Sequence, residues 1–239
     1  DGPGQPRDDY ALVHRESLGF FDEAPLIWKL RKDKHLRQMC AQALFLESQS
    51  CKSAHACDLR SSSFYQRYFE PSFLCELEER IGRGGDGGKW VCDPVKLSSR
   101  VALGQSCLVY SVGSQGDYSF EQSVHDDIDP KCEIHTIDRS HWRKYTSTAP
   151  PEFVRYHEYT VGNAPPAKDM TNIVTELGHY GRTIDIFKID CEGCEWSTYK
   201  SWFGAGVDIR QILVEVHGTN NGGVFEFFDF LFDLGYVIF

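Results

Sequence analysis

The chain has 239 residues, of which 41% are apolar and 13% aromatic, and this suits one large domain or a domain with an added arm. Its formal net charge of −10 argues against a general nucleic-acid-binding protein, which needs a basic surface to neutralise phosphates. No apolar run approaches the roughly 18 residues that a membrane-spanning helix requires, so we expect no membrane span in this chain.

The first hundred residues differ in character from the rest. Residues 1–24 are polar and rich in Gly, Pro and Asp, which predicts a flexible lead-in; their composition suggests a processed chain end, compatible with an upstream anchor. Apolar spacing predicts a helix from Pro25 to about Gln49 and a weaker one from Phe64 to Ile81. Residues 82–88 predict a flexible glycine-rich hinge. We therefore expect a helical, cysteine-rich N-terminal arm over residues 25–100.

Cysteine is unusually frequent for a chain of this length. Disulfides formed in an oxidising compartment explain this density best, and the odd count leaves at least one thiol free or paired with a partner outside this chain. Cys191 and Cys194 form a CxxC motif; a zinc ribbon would need a second such pair, and a redox role for this pair stays open. The nine cysteines are Cys40, Cys51, Cys57, Cys75, Cys92, Cys107, Cys132, Cys191 and Cys194.

From residue 101 onward, short apolar runs alternate with helical stretches. This alternation is typical of βαβ units, and it predicts an α/β fold with a parallel sheet and helices on both faces. The predicted strands cover residues 107–112, 133–137, 154–161, 184–189 and 211–216. The predicted helices cover residues 118–125, 169–177 and 224–234.

The first two strands of this region end in residues suited to a nucleoside-bearing cofactor. The turn from Gly113 to Asp117 lacks the third glycine of the dinucleotide fingerprint, so a nicotinamide cofactor is disfavoured. Asp138 follows the second strand, where a carboxylate can accept hydrogen bonds from both ribose hydroxyls. The alternative for Asp138 is the N-cap of a helix.

Acidic residues follow the later strands. Asp190, Glu192 and Glu195 come directly after the strand at 184–189, and Glu215 and His217 end the next. Because parallel strands release their carboxyl ends at one edge of the sheet, we expect Asp190, Glu215 and His217 to point toward one volume. Asp190, Glu215 and His217 could bind a divalent cation, or His217 could act as a general base. The third interpretation of these residues is a polar cluster that caps the following helices. Glu195 in particular suits helix capping.

Three segments carry a family resemblance: residues 86–92, residues 109–121 with the glycine turn, and the Lys-Ile-Asp-x-Glu-Gly-x-Glu block at 188–195. Together they resemble the METTL-type, FkbM-related class I methyltransferases, over about residues 75–239. The resemblance implies a Rossmann-like sheet, S-adenosylmethionine (SAM) as cofactor, and methyl transfer to a hydroxyl, in several relatives that of a sugar. The cofactor-binding residues that it implies are Ser111, Gly113, Ser114, Gly116, Asp117, Tyr118, Asp138 and Arg139.

The combined prediction is a SAM-dependent O-methyltransferase of residues 101–239 that acts on a small-molecule or glycan acceptor. Its expected catalytic residues are Asp190, Glu192 and His217, with Mg²⁺ or Mn²⁺ at Asp190, Glu215 and His217 as one of two mechanisms. A catalytically inactive binding module is the alternative, favoured by Ser111 at the usual position of an acid. The resemblance also implies the secretory pathway, either the Golgi lumen or secretion.

Two further expectations concern covalent structure and the chain end. We predict a Cys107–Cys132 disulfide, because both residues precede strands that should be neighbours. Residues 236–239 should begin a sixth strand, and the last antiparallel strand of such a sheet should be missing from this sequence.

Overall fold

The computed structural model describes residues 69, 71, 73–146, 148–217 and 223–239. The chain divides into two compact units, one formed by residues 75–217 and the other by residues 1–74 together with 218–239. The predicted lead-in and the predicted helix from Pro25 to Gln49 lie outside the described residues. The division into a lead-in, an arm and a methyltransferase domain therefore stays a prediction.

The unit of residues 75–217 is built on a five-stranded parallel sheet flanked by helices. The sheet has the order β5-β4-β3-β6-β7, with every neighbouring pair parallel, so the predicted α/β Rossmann-like fold is confirmed. The elements are β1 (Glu78–Ile81), β2 (Lys89–Cys92), α1 (Pro94–Ala102), β3 (Leu108–Val112), α2 (Ser119–Ser123), β4 (Glu133–Asp138), β5 (Val154–Glu158), α3 (Met170–Glu176), β6 (Thr183–Ile189), α4 (Glu195–Thr198) and β7 (Asp208–Val214). Single turns of other helix types lie at Val124–Ile128, Trp142–Lys144, Tyr199–Ser201 and Gly204–Gly206.

Burial explains why the central strands are so apolar. All five residues of β3 and six of the seven in β6 are buried, as expected when helices cover both faces of a parallel sheet. The edge strand β7 instead alternates between buried and half-buried positions. The five predicted strands are confirmed, although β5 ends at Glu158 and β7 runs from Asp208 to Val214.

The stretch before β3 corrects one prediction. The end of the weak helix predicted for residues 64–81 is strand β1, which pairs antiparallel with β2, and the predicted hinge at 82–88 is the loop of this hairpin. The loop is held by its own side chains, since Arg80 Nη2 donates to Gly88 O (2.9 Å) and Arg83 Nε donates to Asp86 O (2.9 Å). Strand pairing and these bonds outweigh the local helical spacing.

A reciprocal amide pair fixes the hairpin next to strand β7. The Cys92 N–H donates to Gln211 Oε1 (3.0 Å), and Gln211 Nε2 donates to the Cys92 carbonyl (2.7 Å). Gln211 therefore gives β2 the two hydrogen bonds that a neighbouring strand would supply. This contact joins the end of β2 to the middle of β7.

All six cysteines of the described residues form disulfides. The predicted Cys107–Cys132 bridge is confirmed, and it ties the entrance of β3 to the entrance of β4. The Cys191–Cys194 pair of the CxxC motif is also oxidised. The third bridge, Cys75–Cys92, fastens the segment before β1 to the end of β2. Cys40, Cys51 and Cys57 lie outside the described residues.

The other unit is described only in part. Helix α5 (Gly223–Asp233) confirms the helix predicted for residues 224–234, and the Phe69 ring stacks on Phe228 with centroids 4.0 Å apart. Residues 236–239 form no strand, contrary to the prediction; Ile238 O accepts one hydrogen bond, from the Phe73 N–H (3.0 Å). Among the described helices of the whole chain, none combines the length and apolar character needed to cross a membrane.

Candidate functional site

A cleft of about 550 Å³ lies at the carboxyl ends of the parallel strands. This is where open α/β sheets bind ligands, and the volume falls within the usual range for small-molecule sites. The predicted site residues that line it are Gly113, Ser114, Gly116, Asp117, Asp138, Arg139, Asp190, Glu192, Glu215 and His217.

Two predicted cofactor residues do not line the cleft. Ser111 is fully buried inside β3, and its Oγ has no hydrogen-bond partner among the described residues. Tyr118 is also buried, with its ring edge-on to Tyr156 at a centroid distance of 6.4 Å. Burial and the neighbouring Glu121 carboxylate raise the pKa of Tyr118. Both residues therefore support the turn from within the core.

Gly113 allows the ends of β3 and β6 to pass closely. Its φ is +80°, and a Cβ atom at this position would lie 1.6 Å from the Asp190 carbonyl oxygen. The Asp190 N–H in turn donates to Val112 O (3.0 Å), which continues the pairing of the two strands past their ends. The turn thus sets the position of the Asp190 backbone.

The Asp138 carboxylate stabilises the glycine turn through two hydrogen bonds. One carboxylate oxygen accepts from the Gln115 N–H (2.8 Å) and the other from the Ser140 N–H (3.2 Å). The side chain lines the cleft although the residue is almost completely buried. Its oxygens keep further lone pairs, so they can accept hydrogen bonds from ligand hydroxyls as well.

The β1–β2 loop forms a wall of the cleft that sequence reasoning did not assign. Arg83 pairs with Asp117 (2.9 Å), and the Arg83 N–H donates to Ser119 Oγ (3.3 Å). Gly87 has a φ of +94°, which favours glycine, and a Cβ there would lie 2.5 Å from Asp117 Oδ2, so a larger residue would displace this carboxylate. The glycine-rich sequence was the available signal, but it was interpreted as a hinge.

Asp190, Glu215 and His217 come together as predicted. His217 Nε2 lies 3.4 Å from Asp190 Oδ1 and 3.8 Å from Glu215 Oε1. One potential ligand atom from each of the three residues lies within 4.8 Å of the others, a separation that a metal ion could bridge. Glu192 is 4.0 Å from His217 Nε2 and is largely exposed.

Lys89, at the start of β2, enters this cluster from the hairpin. Its Nζ lies 2.5 Å from Glu215 Oε2 and 3.4 Å from Asp190 Oδ2. Burial raises the pKa of Asp190 despite the charge of Lys89. Burial also acts to raise the pKa of Glu215, but the hydrogen bond and charge of Lys89 hold it below its ordinary value. The ammonium therefore neutralises part of the negative charge of the cluster.

Helix α4 fixes the position of His217. Glu195 is fully buried; its Oε1 accepts from the His217 N–H (2.6 Å) and lies 3.4 Å from His217 Nδ1. Trp196 Nε1 donates to the His217 carbonyl (2.6 Å). Glu195 also accepts from the Gly193 N–H (3.0 Å) in the turn that precedes α4, and its helix-capping role stays a prediction.

A buried lysine lies under the glycine turn. Lys188 is 2% exposed, its Nζ donates to Gly113 O (3.3 Å), and it lines the cleft. A charged group this deeply buried needs polar partners, and the turn carbonyl is one. The family motif contains this lysine, yet its role could not be inferred from its position inside an apolar strand.

Comparison with known proteins identifies one family. A family model described as a methyltransferase domain, Methyltransf_22, matches residues 11–239. Neither the curated proteins nor the solved structures include a significant match.

Proposed function

The chain belongs to this family of methyltransferase domains, and we propose that it is an O-methyltransferase that methylates a hydroxyl group of a sugar or glycan. Family membership implies SAM as the methyl donor. The observation that carries the choice of a hydroxyl acceptor is the position of His217, whose imidazole lines the cleft among carboxylates, on the same edge of the sheet as the glycine turn. Such a group can take a proton from an alcohol, which is a poor acid.

Several features of the cleft suit SAM as the methyl donor. The turn at Gly113 and Gly116 presents backbone without side chains, and Asp138 offers acceptor oxygens for a ribose. Asp117 lines the cleft beside this turn and offers a carboxylate acceptor for the amino group of the donor. Bound SAM would supply an electrophilic methyl group. The protein residues must then align the acceptor oxygen and remove its proton.

The proton is proposed to move to His217 Nε2. His217 Nε2 lies beside Asp190 and Glu215, and Glu195 holds the residue from the other side through the His217 N–H (2.6 Å) and a contact to Nδ1 (3.4 Å). A second group that orients the base in this way is typical of activated hydroxyl chemistry. Asp190 and Glu192 would orient further hydroxyls of the acceptor, and Lys89 would limit repulsion between the carboxylates.

A divalent cation at Asp190, Glu215 and His217 is the second mechanism, favoured by the convergence of their ligand atoms. Mg²⁺ or Mn²⁺ there would position the hydroxyl and lower its pKa. Lys89 argues for the first mechanism, because its ammonium lies between the two carboxylates that the cation would need. We therefore favour His217 as a base without a cation.

The decisive experiment is a donor-transfer screen with labelled SAM over neutral glycans and phenols, in excess EDTA or with added Mn²⁺. We expect transfer to a hydroxylated glycan that is unchanged by EDTA. Activity that is lost in EDTA and restored by Mn²⁺ would support the cation mechanism instead. Binding of S-adenosylhomocysteine without transfer to any acceptor would favour the inactive binding module.

Replacing Asp138 with Asn is expected to weaken S-adenosylhomocysteine binding by about 10- to 100-fold. The substitution removes the charge that strengthens hydrogen bonds to ribose hydroxyls, each worth about 1.5–3 kcal/mol. Titration calorimetry measures the change, with Asp129→Asn at an exposed turn outside the cleft as the control. Equal affinities of the Asp138 variant and the unchanged protein would contradict the ribose role.

Replacing Lys89 with Gln is expected to lower the free energy of unfolding by about 1–2 kcal/mol at pH 7. This value is larger than that of an exposed ion pair and smaller than that of a buried one, because water screens the 43% exposed Glu215 side chain. The pKa of Glu215 is lower in the folded protein than in the unfolded chain, so its ionised carboxylate stabilises the fold at pH values above the unfolded-state pKa. This stabilisation is lost as pH falls through the folded-state pKa. The cost should therefore shrink towards pH 3. Urea unfolding at both pH values measures it, with exposed Lys131→Gln as control; an equal cost at both would refute the pairing.

The cellular location is proposed from the cross-links. The three disulfides of the described residues are of the kind that form and persist in oxidising compartments. We therefore place the protein in the secretory pathway, in the Golgi lumen or secreted, where glycan acceptors occur.

A further inference from the structure

Three histidines and a glutamate meet around the first half of β4, and none of them lines the cleft. Glu133 is the first residue of β4 and His135 the third, whereas the cleft residue Asp138 is the last. His179 follows α3, and His157 lies in β5 opposite Ile137. The side chains of His135 and His179 are only 3% and 5% exposed, whereas that of Glu133 is 21% exposed.

The geometry of this cluster is that of a ligand set. His135 Nε2 lies 3.2 Å and His179 Nε2 lies 3.6 Å from the same oxygen, Glu133 Oε1. Two ligands at about 2.0–2.1 Å from a tetrahedral Zn²⁺ are separated by about 3.3–3.5 Å. The spacings in the structure need little adjustment to match that value. The three ligand atoms also lie within 4.8 Å of one another.

The outer contacts orient both rings towards this point. His135 Nδ1 lies 2.9 Å from His157 Nε2, and His179 Nδ1 lies 2.7 Å from the Tyr110 hydroxyl. Metal-binding histidines characteristically have the second ring nitrogen held by such a partner, which fixes the coordinating nitrogen. Glu133 Oε2 is likewise held by Arg182 (2.8 Å), which leaves Oε1 as the ligand atom.

We propose that Glu133, His135 and His179 form a site for Zn²⁺ or a similar divalent transition metal, distinct from the methyl-transfer cleft. Two imidazoles and one carboxylate are the ligand set that such ions prefer, with the fourth position open to water. Arg155 contacts Glu133 Oε1 and is 62% exposed, so it can move aside when the ion enters.

The test is titration of the full chain with Zn²⁺, together with the visible spectrum of the Co²⁺ form. All measurements use the Asp190→Asn background, which removes one ligand of the cluster in the cleft. We expect one ion per chain and absorption bands of a four-coordinate Co²⁺ site. His179→Gln should lose at least 100-fold in affinity, and Tyr110→Phe, which only orients the ring, about 10- to 100-fold.

The Arg155→Gln variant should change the Zn²⁺ affinity in the opposite direction, and it does not remove a metal ligand. Because it deletes a cation that competes for Glu133 Oε1, it should bind Zn²⁺ more tightly than the background protein. His125→Gln, at a histidine outside the cluster, is the matched control and should bind as the background protein does. The proposal is overturned if Zn²⁺ binds equally to the His179→Gln variant, or if the background protein shows no stoichiometric binding. Circular dichroism of each variant verifies folding, and Tyr110→Phe and Arg155→Gln keep the test valid if His179→Gln does not fold.

Discussion

Replacing His217 with Gln is expected to lower kcat by 10²- to 10⁴-fold, the range that a general base contributes. Glutamine can keep polar contacts at this position, but it cannot accept the proton of the hydroxyl. The affinity for S-adenosylhomocysteine should stay close to that of the unchanged protein, because the imidazole is assigned to the acceptor. Steady-state kinetics with the acceptor found by the screen measures the first effect and calorimetry the second.

The pH profile separates a base from a merely structural residue. A general base produces an acidic limb in the pH profile of activity; the unchanged protein should show this limb and the His217→Gln variant should lack it. His125→Gln, whose ring stacks on Phe153 outside the cleft, is the control and should retain full activity. A His217→Gln enzyme with kcat within a factor of three of the unchanged protein would eliminate the base mechanism.

Replacing Gly113 with Ala is expected to cost more than about 4 kcal/mol of unfolding free energy, an exceptional value for one methyl group. The new Cβ would fall 1.6 Å from the Asp190 carbonyl oxygen, so the ends of β3 and β6 would have to separate. The left-handed backbone of Gly113 adds about 1–2 kcal/mol for any residue with a Cβ. The midpoint and slope of urea unfolding measure the loss.

The Gly178→Ala variant separates the steric clash at Gly113 from the cost of placing a Cβ on a left-handed backbone. Gly178 has a comparable φ of +73°, but no atom lies within 4 Å of the position of its Cβ. This variant should therefore lose only the 1–2 kcal/mol of the left-handed conformation. Similar losses for the two variants would show that the strand ends at Gly113 and Asp190 can move apart freely.

The local pattern of the sequence predicted most of the sheet. Apolar runs of strand length between helical stretches identified β3 to β7, and a Rossmann-like topology follows from that alternation. Since parallel strands end at one edge, the pattern also grouped Asp190 with Glu215 and His217. The Cys107–Cys132 bridge followed from the same neighbour relation.

The hairpin before the sheet shows where such reasoning stops. Lys89 lies 101 residues before Asp190 and 126 before Glu215, and no periodicity connects these positions. The glycines of its loop indicated flexibility, whereas the structure uses one of them to approach Asp117. The amide pair between Cys92 and Gln211 that sets this arrangement is a tertiary contact.

The acidic stretch after β6 shows most clearly which properties are local to the sequence and which depend on tertiary packing. The sequence alone determined that a buried strand ends in Asp190, Glu192 and Glu195, because strand period and composition are local properties of the chain. Only the tertiary structure decided their separate roles: Asp190 lies beside Lys89, Glu192 faces solvent, and Glu195 is buried against His217. These roles depend on which distant groups desolvate or neutralise each carboxylate, and that is set by packing between segments that are far apart in the chain.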